Sequence, residues 1–180
     1  GEQFLPVKWG QAGQQFVEQH AQAVDVAARV DVQPAHLRLF RAHVGGGPDE
    51  LLERLRRFQR DAFPQYRAQF QSLVDEGQHP TTLFIGCSDS RLVPYLLTGT
   101  GPGELFLVRN VGAFVPPYDG SFGYHGTAAA IEFAVLNLAV SRIIVCGHSH
   151  CGAIRALYGD VRPAAKNLAQ WLELGKEAVL

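Results

Sequence analysis

The chain has 180 residues, of which 47% are apolar and 18% are charged, and its formal net charge at pH 7 is -1. This composition is typical of one globular domain with a buried core. The near-zero net charge argues against a nucleic-acid partner or an acidic membrane surface, although a local arginine could still bind a small anion. No apolar run reaches the roughly 18 residues that a membrane span requires, and the first ten residues do not resemble a secretory signal.

Residues 1–47 differ in composition from the rest of the chain. They are rich in Gln, Ala and Val and end in three glycines before Pro48, which indicates a boundary. A thin apolar stripe predicts a helix from Gln11 to Val30. We expect these residues to form an N-terminal extension of unknown role that is dispensable for chemistry. Its aromatic and leucine residues predict that it packs on a dimer partner or on another protein.

Two helices are predicted after this boundary. Asp49 can cap the first helix, and Pro64 is expected to open the second, which Gly77 ends. In the first helix, four apolar residues follow helical spacing: Leu51, Leu52, Leu55 and Phe58. In the second helix, four residues are expected to face inward: Tyr66, Phe70, Leu73 and Val74.

Three short apolar runs then predict strands, at residues 82–86, 104–109 and 141–147. The last run has no alternation, which is typical of a strand covered on both faces. A nearly all-apolar segment, residues 128–140, predicts a buried helix between the second and third runs. Strands that alternate with helices indicate an α/β fold with a parallel-centred sheet flanked by helices.

A polar loop follows the first predicted strand and another follows the third. The first loop begins with Cys87, and the second contains His148 and Cys151. Ligands of parallel sheets bind beyond the carboxyl ends of the strands, and two thiolates with one imidazole form a zinc set that leaves a fourth position open. On spacing alone, a zinc site and an ordinary loop both remain open. Cys146 is interpreted as a small core residue.

Asp89 and Arg91 lie next to Cys87 in the first loop. The arginine fork matches a carboxylate in bidentate fashion. The carboxylate could be a fourth metal ligand or could accept a hydrogen bond from bound water, and a surface ion pair is the ordinary alternative. Arg109 and Asn110 follow the second predicted strand and are candidates for holding a dimer or the active-site loops.

The sequence CSDSR, followed at a distance by GHSHCG, resembles the beta-class carbonic anhydrases. The resemblance covers residues 49–180 and includes PGELFLVRNVG, VPPYD and GTAAAIEFAVLNL. It implies a catalytic domain at 48–180 that lacks the C-terminal part of the family's fold. It also implies zinc held by Cys87, His148 and Cys151, a catalytic dyad of Asp89 and Arg91, and a homodimer or higher homo-oligomer.

The same resemblance is to the plant-like members of the family. Gln78 stands nine residues before the first zinc cysteine, as it does in those members, and is assigned a catalytic role as a hydrogen-bond donor to the forming bicarbonate. The implied substrate pocket contains Phe106, Val111, Phe133 and Gly152. The subtype implies an open zinc site, Asp89 away from the metal, and weak or absent regulation by bicarbonate.

The function implied by the resemblance is the reversible hydration of carbon dioxide to bicarbonate and a proton by zinc-bound hydroxide. His125 and His150 are candidate proton relays. Two alternatives are a non-catalytic zinc scaffold or partner subunit with the same fold, and a hydrolase of carbon disulfide or carbonyl sulfide. Three cysteines without a disulfide pattern are consistent with a cytoplasmic location, including a carbon-fixing compartment or an organelle.

Overall fold

The computed structural model describes residues 23–30, 48–118 and 125–178, with backbone alone at 23–30, 48–49 and 177–178. The chain divides into two compact units. The sheet unit contains the described residues 23–30 and those from 79 onward, and the helical unit contains residues 48–78. Among the described residues, none of the helices has the length and hydropathy needed to cross a bilayer.

The helical unit is one continuous helical run rather than two separate helices. Helix α1 spans Pro48–Arg57, a π-helical turn spans Phe58–Ala62, and helix α2 spans Phe63–Asp75. The amide of Phe63 bonds to the carbonyl of Phe58, five residues back. Pro64 lacks an amide hydrogen and its ring crowds the preceding turn, which explains why the helix widens just before it. Gly77, at φ +84°, follows the end of α2 as predicted.

The apolar residues of α2 do not all face inward as predicted. Phe70 and Leu73 are half-buried, but Val74 is 77% exposed and Tyr66 is also exposed. The prediction was wrong for Tyr66 and Val74 because helical spacing shows which residues share a face, but not that the described chain covers that face. The apolar residues at helical spacing in α1 are exposed as well: Leu51, Leu52, Leu55 and Phe58.

The described residues of the sheet unit form four parallel strands in the order β1-β4-β2-β3. Their bounds are β1 Ala23–Val30, β2 Thr82–Cys87, β3 Leu105–Asn110 and β4 Arg142–His148. The helices are α3 Pro94–Thr98, α4 Gly126–Glu132 with a π-helical extension Phe133–Asn137, α5 Gly152–Leu157 and α6 Lys166–Leu172. Short 3-10 segments span Val111–Ala113 and Glu173–Ala178. The predicted α/β class is confirmed, and each of the three predicted strands lies within one residue of its predicted bounds.

Strand β1 corrects the helix predicted from Gln11 to Val30. Residues Ala23–Val30 pair in parallel with β4, and Val30 is the partner of His148. The remainder of that predicted helix lies outside the described residues. Val24, Val26 and Val30 recur with the two-residue period of a strand, a pattern that the neighbouring alanines obscured. Part of the N-terminal segment therefore belongs to the sheet.

The interior strand β2 determines where the two polar loops lie. All six of its residues are buried, and it is bonded to β3 on one side and β4 on the other. Gly86 is required here because a Cβ atom would lie 2.9 Å from Leu92 Cδ2 and from the Phe84 ring. Since Gly86 is in register with Cys146, the loops that follow β2 and β4 begin side by side.

Candidate metal centre

The ends of β2 and β4 bring two thiols and one imidazole together. The ligand atoms of Cys87, His148 and Cys151 all lie within 4.8 Å of one another, and all three residues are buried. The two sulfur atoms are 3.8 Å apart. Cys87 ends β2, His148 ends β4, and Cys151 immediately precedes α5, so strand ends and a helix start fix the three side chains.

This cluster fits a tetrahedral zinc ion. With Zn–S bonds of about 2.3 Å, tetrahedral geometry places two thiolate sulfurs about 3.8 Å apart, and the observed separation is 3.8 Å. His148 Nδ1 lies 3.0 Å from the Ser149 carbonyl, which is the arrangement of a ring N–H that donates to the backbone. His148 Nε2 is buried and has no hydrogen-bond partner among the described residues. A cation would satisfy that nitrogen, whose burial would otherwise be costly.

The Cys151 thiol is expected to exchange its proton for a cation. Burial raises the pKa of the Cys151 thiol, the backbone N–H groups of Ile154 and Ala153 partly oppose this, and the neighbouring Cys87 raises it further. The backbone N–H of Asp89 points at Cys87 Sγ over 3.4 Å. This raised pKa favours the protonated form of Cys151 in the absence of a cation, so metal binding should release a proton from that thiol.

Asp89 lies beside the cluster but is held by Arg91. Its Oδ1 accepts hydrogen bonds from the Arg91 backbone N–H at 3.0 Å and from Nε at 2.9 Å, and its Oδ2 accepts one from Nη2 at 2.8 Å. The hydrogen bonds and positive charge of Arg91 hold the pKa of the Asp89 carboxyl well below its usual range, despite an opposing effect of burial. The carboxylate is not one of the three clustered groups, although Oδ2 is 3.8 Å from His148 Nε2.

Arg91 also joins the two loops. Its Nη2 donates to the carbonyl of His150 over 2.9 Å. His150 has a φ of +55°, an uncommon conformation for a residue with a side chain. The side chain of His150 is exposed, and His125 is an exposed residue directly before α4. The backbone of His150 therefore has a structural role in the loop.

The predicted pocket residues are only partly brought together. Phe106 and Phe133 stack with their ring centroids 5.7 Å apart. Val111 lies at the end of β3, where its carbonyl accepts a hydrogen bond from Trp171 Nε1 over 2.7 Å, and Gly152 follows Cys151 at the start of α5. Gln78 is exposed and is the last residue of the helical unit.

Three residues outside the predicted site also shape it. Asn110 Nδ2 donates to the Phe114 carbonyl and to Thr127 Oγ1, which ties the end of β3 to the start of α4. The contact of Trp171 with Val111 was missed because nothing in the sequence relates two residues so far apart. Arg109 was recognised as a candidate for holding loops, but its partners depend on strand register.

Comparison with known proteins places this arrangement in a family. The sequence model of the family described as carbonic anhydrase matches residues 82–180, which is 99 of the 180 residues. A carbonic anhydrase of Synechococcus elongatus is 46% identical over 108 residues, covering 60% of this chain and 39% of that protein.

Two solved structures support the same placement. The beta-carbonic anhydrase CcaA has a TM-score of 0.66 and 40% identity, and the match covers 72% of this chain and 57% of that one. Tetrameric beta-carbonic anhydrases of Sordaria macrospora give a TM-score of 0.58 and 34% identity, covering 72% of this chain and 64% of theirs. This chain therefore spans less than two thirds of the length of these relatives, but the residues that match the family model include β2, β3, β4 and all three clustered ligands. The chain belongs to the carbonic anhydrase family, in its beta class.

Proposed function

We propose that the protein catalyses the reversible hydration of carbon dioxide to bicarbonate and a proton. The observation that carries this proposal is a buried His148 Nε2, without a hydrogen-bond partner among the described residues, beside two thiols. The Asp89 carboxylate is held next to this cluster but is not part of it. Three ligands with one open position are typical of catalytic zinc sites, whereas structural sites have four.

Cys87, His148 and Cys151 hold the zinc ion in this proposal. When bound, zinc lowers the pKa of a water molecule and so supplies a nucleophile near neutral pH. The Ser149 carbonyl keeps the His148 ring oriented with Nε2 toward the cluster. Cys87 ends β2 and Cys151 directly precedes α5, so regular secondary structure fixes the positions of both sulfur atoms.

Asp89 acts as a hydrogen-bond acceptor and not as a proton store. Its lowered pKa keeps it ionised throughout the neutral range. Oδ1 is occupied by two donors from Arg91, whereas Oδ2 has one and lies on the side of His148. Oδ2 can therefore accept a hydrogen bond from the attacking water and orient its lone pair toward carbon dioxide. A carboxylate that is held by an arginine beside the metal ligands has no role in a purely structural zinc site. The Asp89–Arg91 pair therefore favours an enzyme over a scaffold.

Carbon dioxide is apolar, and the stacked rings of Phe106 and Phe133 offer it an apolar surface. Phe133 is 43% exposed and Val111 is 41% exposed, so both can meet a ligand. Gly152 leaves open space at the start of α5. Donation by Gln78 to the forming bicarbonate, and proton transfer through His125 or His150, remain parts of the proposal.

A homodimer, or a larger homo-oligomer, is the proposed assembly. It is supported by the tetrameric beta-carbonic anhydrases among the similar structures and by the exposed apolar side chains of both units. A cytoplasmic location is supported by three buried cysteines that form no disulfide. Weak or absent regulation by bicarbonate also stays a prediction.

Stopped-flow hydration of carbon dioxide tests the proposed function. The protein is stripped with a chelator and then reloaded with one equivalent of zinc, and the stripped sample is the control. We expect hydration to appear on reloading and to vanish on stripping. Full zinc occupancy without hydration above the buffer rate would contradict the proposal.

A further inference from the structure

The side chain of Arg109 bonds to the backbone of the loop that begins at Cys87. Its Nε and Nη2 donate to the Cys87 carbonyl over 3.1 and 3.0 Å, and Nη2 also donates to the Asp89 carbonyl over 2.7 Å. One guanidinium therefore serves two carbonyls two residues apart. One of them belongs to a clustered thiol residue, and the other to the carboxylate beside the cluster.

Strand register explains why Arg109 can reach this loop. Arg109 is the partner of Gly86 on β2, and Asn110 is the partner of Cys87. The ladder continues one step past the strand, because the Ser88 N–H donates to the Asn110 carbonyl over 2.8 Å. Arg109 thus lies beside the point where β2 ends, and its side chain extends the hydrogen bonding where the backbone ladder stops.

The bonding of Arg109 differs from that of an ordinary surface arginine. Among the described residues, no carboxylate lies within ion-pair distance of it, whereas Arg54, Arg60 and Arg91 each have one. All of its described hydrogen bonds go to loop carbonyls. A planar fork with several donors matches such a pair of acceptors, which the ammonium of a lysine cannot do as well.

Arg109 and Arg91 hold different parts of the same residue. Arg91 binds the Asp89 carboxylate, and Arg109 binds the Asp89 carbonyl. The orientation of the Cys87 sulfur and of the Asp89 carboxylate depends on the backbone between them. Without Arg109, the Asp89 carbonyl would keep one hydrogen bond among the described residues, from the Leu92 N–H, and the tie of this backbone to β3 would end at the Ser88 N–H bond to Asn110.

We propose that Arg109 is a positioning residue that holds the Cys87–Asp89 backbone in the conformation that binds zinc. The inference rests on zinc binding, which is part of the proposed function. Loss of a group that orients metal ligands commonly lowers metal affinity by about 10-fold to 100-fold. We expect a loss of this size for Arg109→Leu, and a smaller loss for Arg109→Lys, which keeps the charge but not the fork.

The experiment measures zinc affinity by competition with a chelator and records the visible spectrum of the cobalt-substituted protein. The matched control is Arg155→Leu, which removes an exposed arginine side chain of the same unit that makes no hydrogen bond among the described residues. Affinity should fall in the order wild type, Arg109→Lys, Arg109→Leu, with a changed cobalt spectrum in both variants. Arg155→Leu should match wild type in both measurements.

Wild-type affinity and an unchanged cobalt spectrum in Arg109→Leu would overturn the inference. If Arg109→Leu does not fold, Arg109→Lys provides the test. Wild-type zinc affinity and a wild-type cobalt spectrum in Arg109→Lys would show that the guanidinium fork is not needed, and would overturn the inference. A wild-type protein that binds no zinc would instead contradict the proposed function, so the two failures can be told apart.

Discussion

The described apolar residues are largely buried in the sheet unit and largely exposed in the helical unit. In the sheet unit, Leu83, Ile85 and Ile143 are fully buried, and the polar groups at the strand ends are fixed by hydrogen bonds from neighbouring elements. In the helical unit, Leu51 and Leu55 are more than half exposed. The sheet unit therefore holds a site whose geometry is determined within the described chain, whereas the described residues of the helical unit leave an apolar face exposed.

The largest effect is expected in the sheet unit, from Cys87→Ala. Removing one thiol leaves two ligands, which are too few for a stable zinc site, so metal analysis after dialysis should find almost no zinc. Cys146→Ala is the matched control, because Cys146 is buried in the same unit but lies outside the cluster. Full zinc retention in Cys87→Ala would contradict the ligand assignment.

Asp89→Asn should lower carbon dioxide hydration by roughly 100-fold, a typical size for loss of one preorganised hydrogen-bonding group, while zinc stays bound. The helical unit offers the matched control Asp61→Asn, since Asp61 also pairs with an arginine, Arg60, but at an exposed position. Stopped-flow rates at equal zinc content decide the matter. An unchanged rate in Asp89→Asn would leave Asp89 without a catalytic role.

Deletion of residues 1–47 removes the strand that pairs with β4. We expect the melting temperature to fall by roughly 4–8 °C, which corresponds to about 2 kcal/mol in a chain of this length. The earlier expectation that this segment is dispensable for chemistry stays a prediction. Calorimetry of the deletion variant with zinc bound, compared with the full chain, gives the first result, and an unchanged melting temperature would show that β1 does not stabilise the sheet.

The double substitution Leu51→Glu and Leu55→Glu tests the exposed face of the helical unit. We expect self-association to weaken by about 10-fold, or roughly 1.4 kcal/mol, while zinc content stays at the wild-type level. Light scattering after size exclusion measures the mass, and Arg57→Gln on the same helix is the control. Wild-type mass at all concentrations would mean that this face does not serve self-association.

The smallest effect concerns pH. The pKa of Asp89 is lowered from an ordinary value of 3.8, so its carboxylate stabilises the fold above that value, and the contribution is lost only as the pH falls further. The difference in unfolding free energy between metal-free wild type and Asp89→Asn should be constant from about pH 7 to about pH 5 and shrink below about pH 4. A difference that already shrinks between pH 7 and pH 5 would mean that the pKa is raised.

The sequence predicted the sheet unit closely for a physical reason. Strands β2 and β4 are apolar runs buried on both faces, and chemically distinctive loops follow them, so local pattern and tertiary role agree. The predicted helix at residues 128–140 begins at Gly126 and its last helical residue is Asn137, because the final turn widens before the left-handed Ala139.

The other features depend on contacts that local pattern does not contain. Strand β1 was predicted as part of a helix because its alanines suit both structures and only its pairing with β4 decides between them. The partners of Arg109 follow from the register of β3 on β2. The exposure of Leu51 depends on what packs against α1, which its own sequence does not state.

X-ray absorption at the zinc edge tests the central claim most directly, because it counts the atoms bound to the metal in the loaded protein. We predict two sulfurs at about 2.3 Å and two nitrogen or oxygen atoms at about 2.0 Å, one from His148 and one from water. The same spectrum is expected for Asp89→Asn, since Asp89 lies off the cluster. A shell of three or four sulfurs, or a spectrum that loses an oxygen in Asp89→Asn, would contradict the account of an open, water-accessible zinc site.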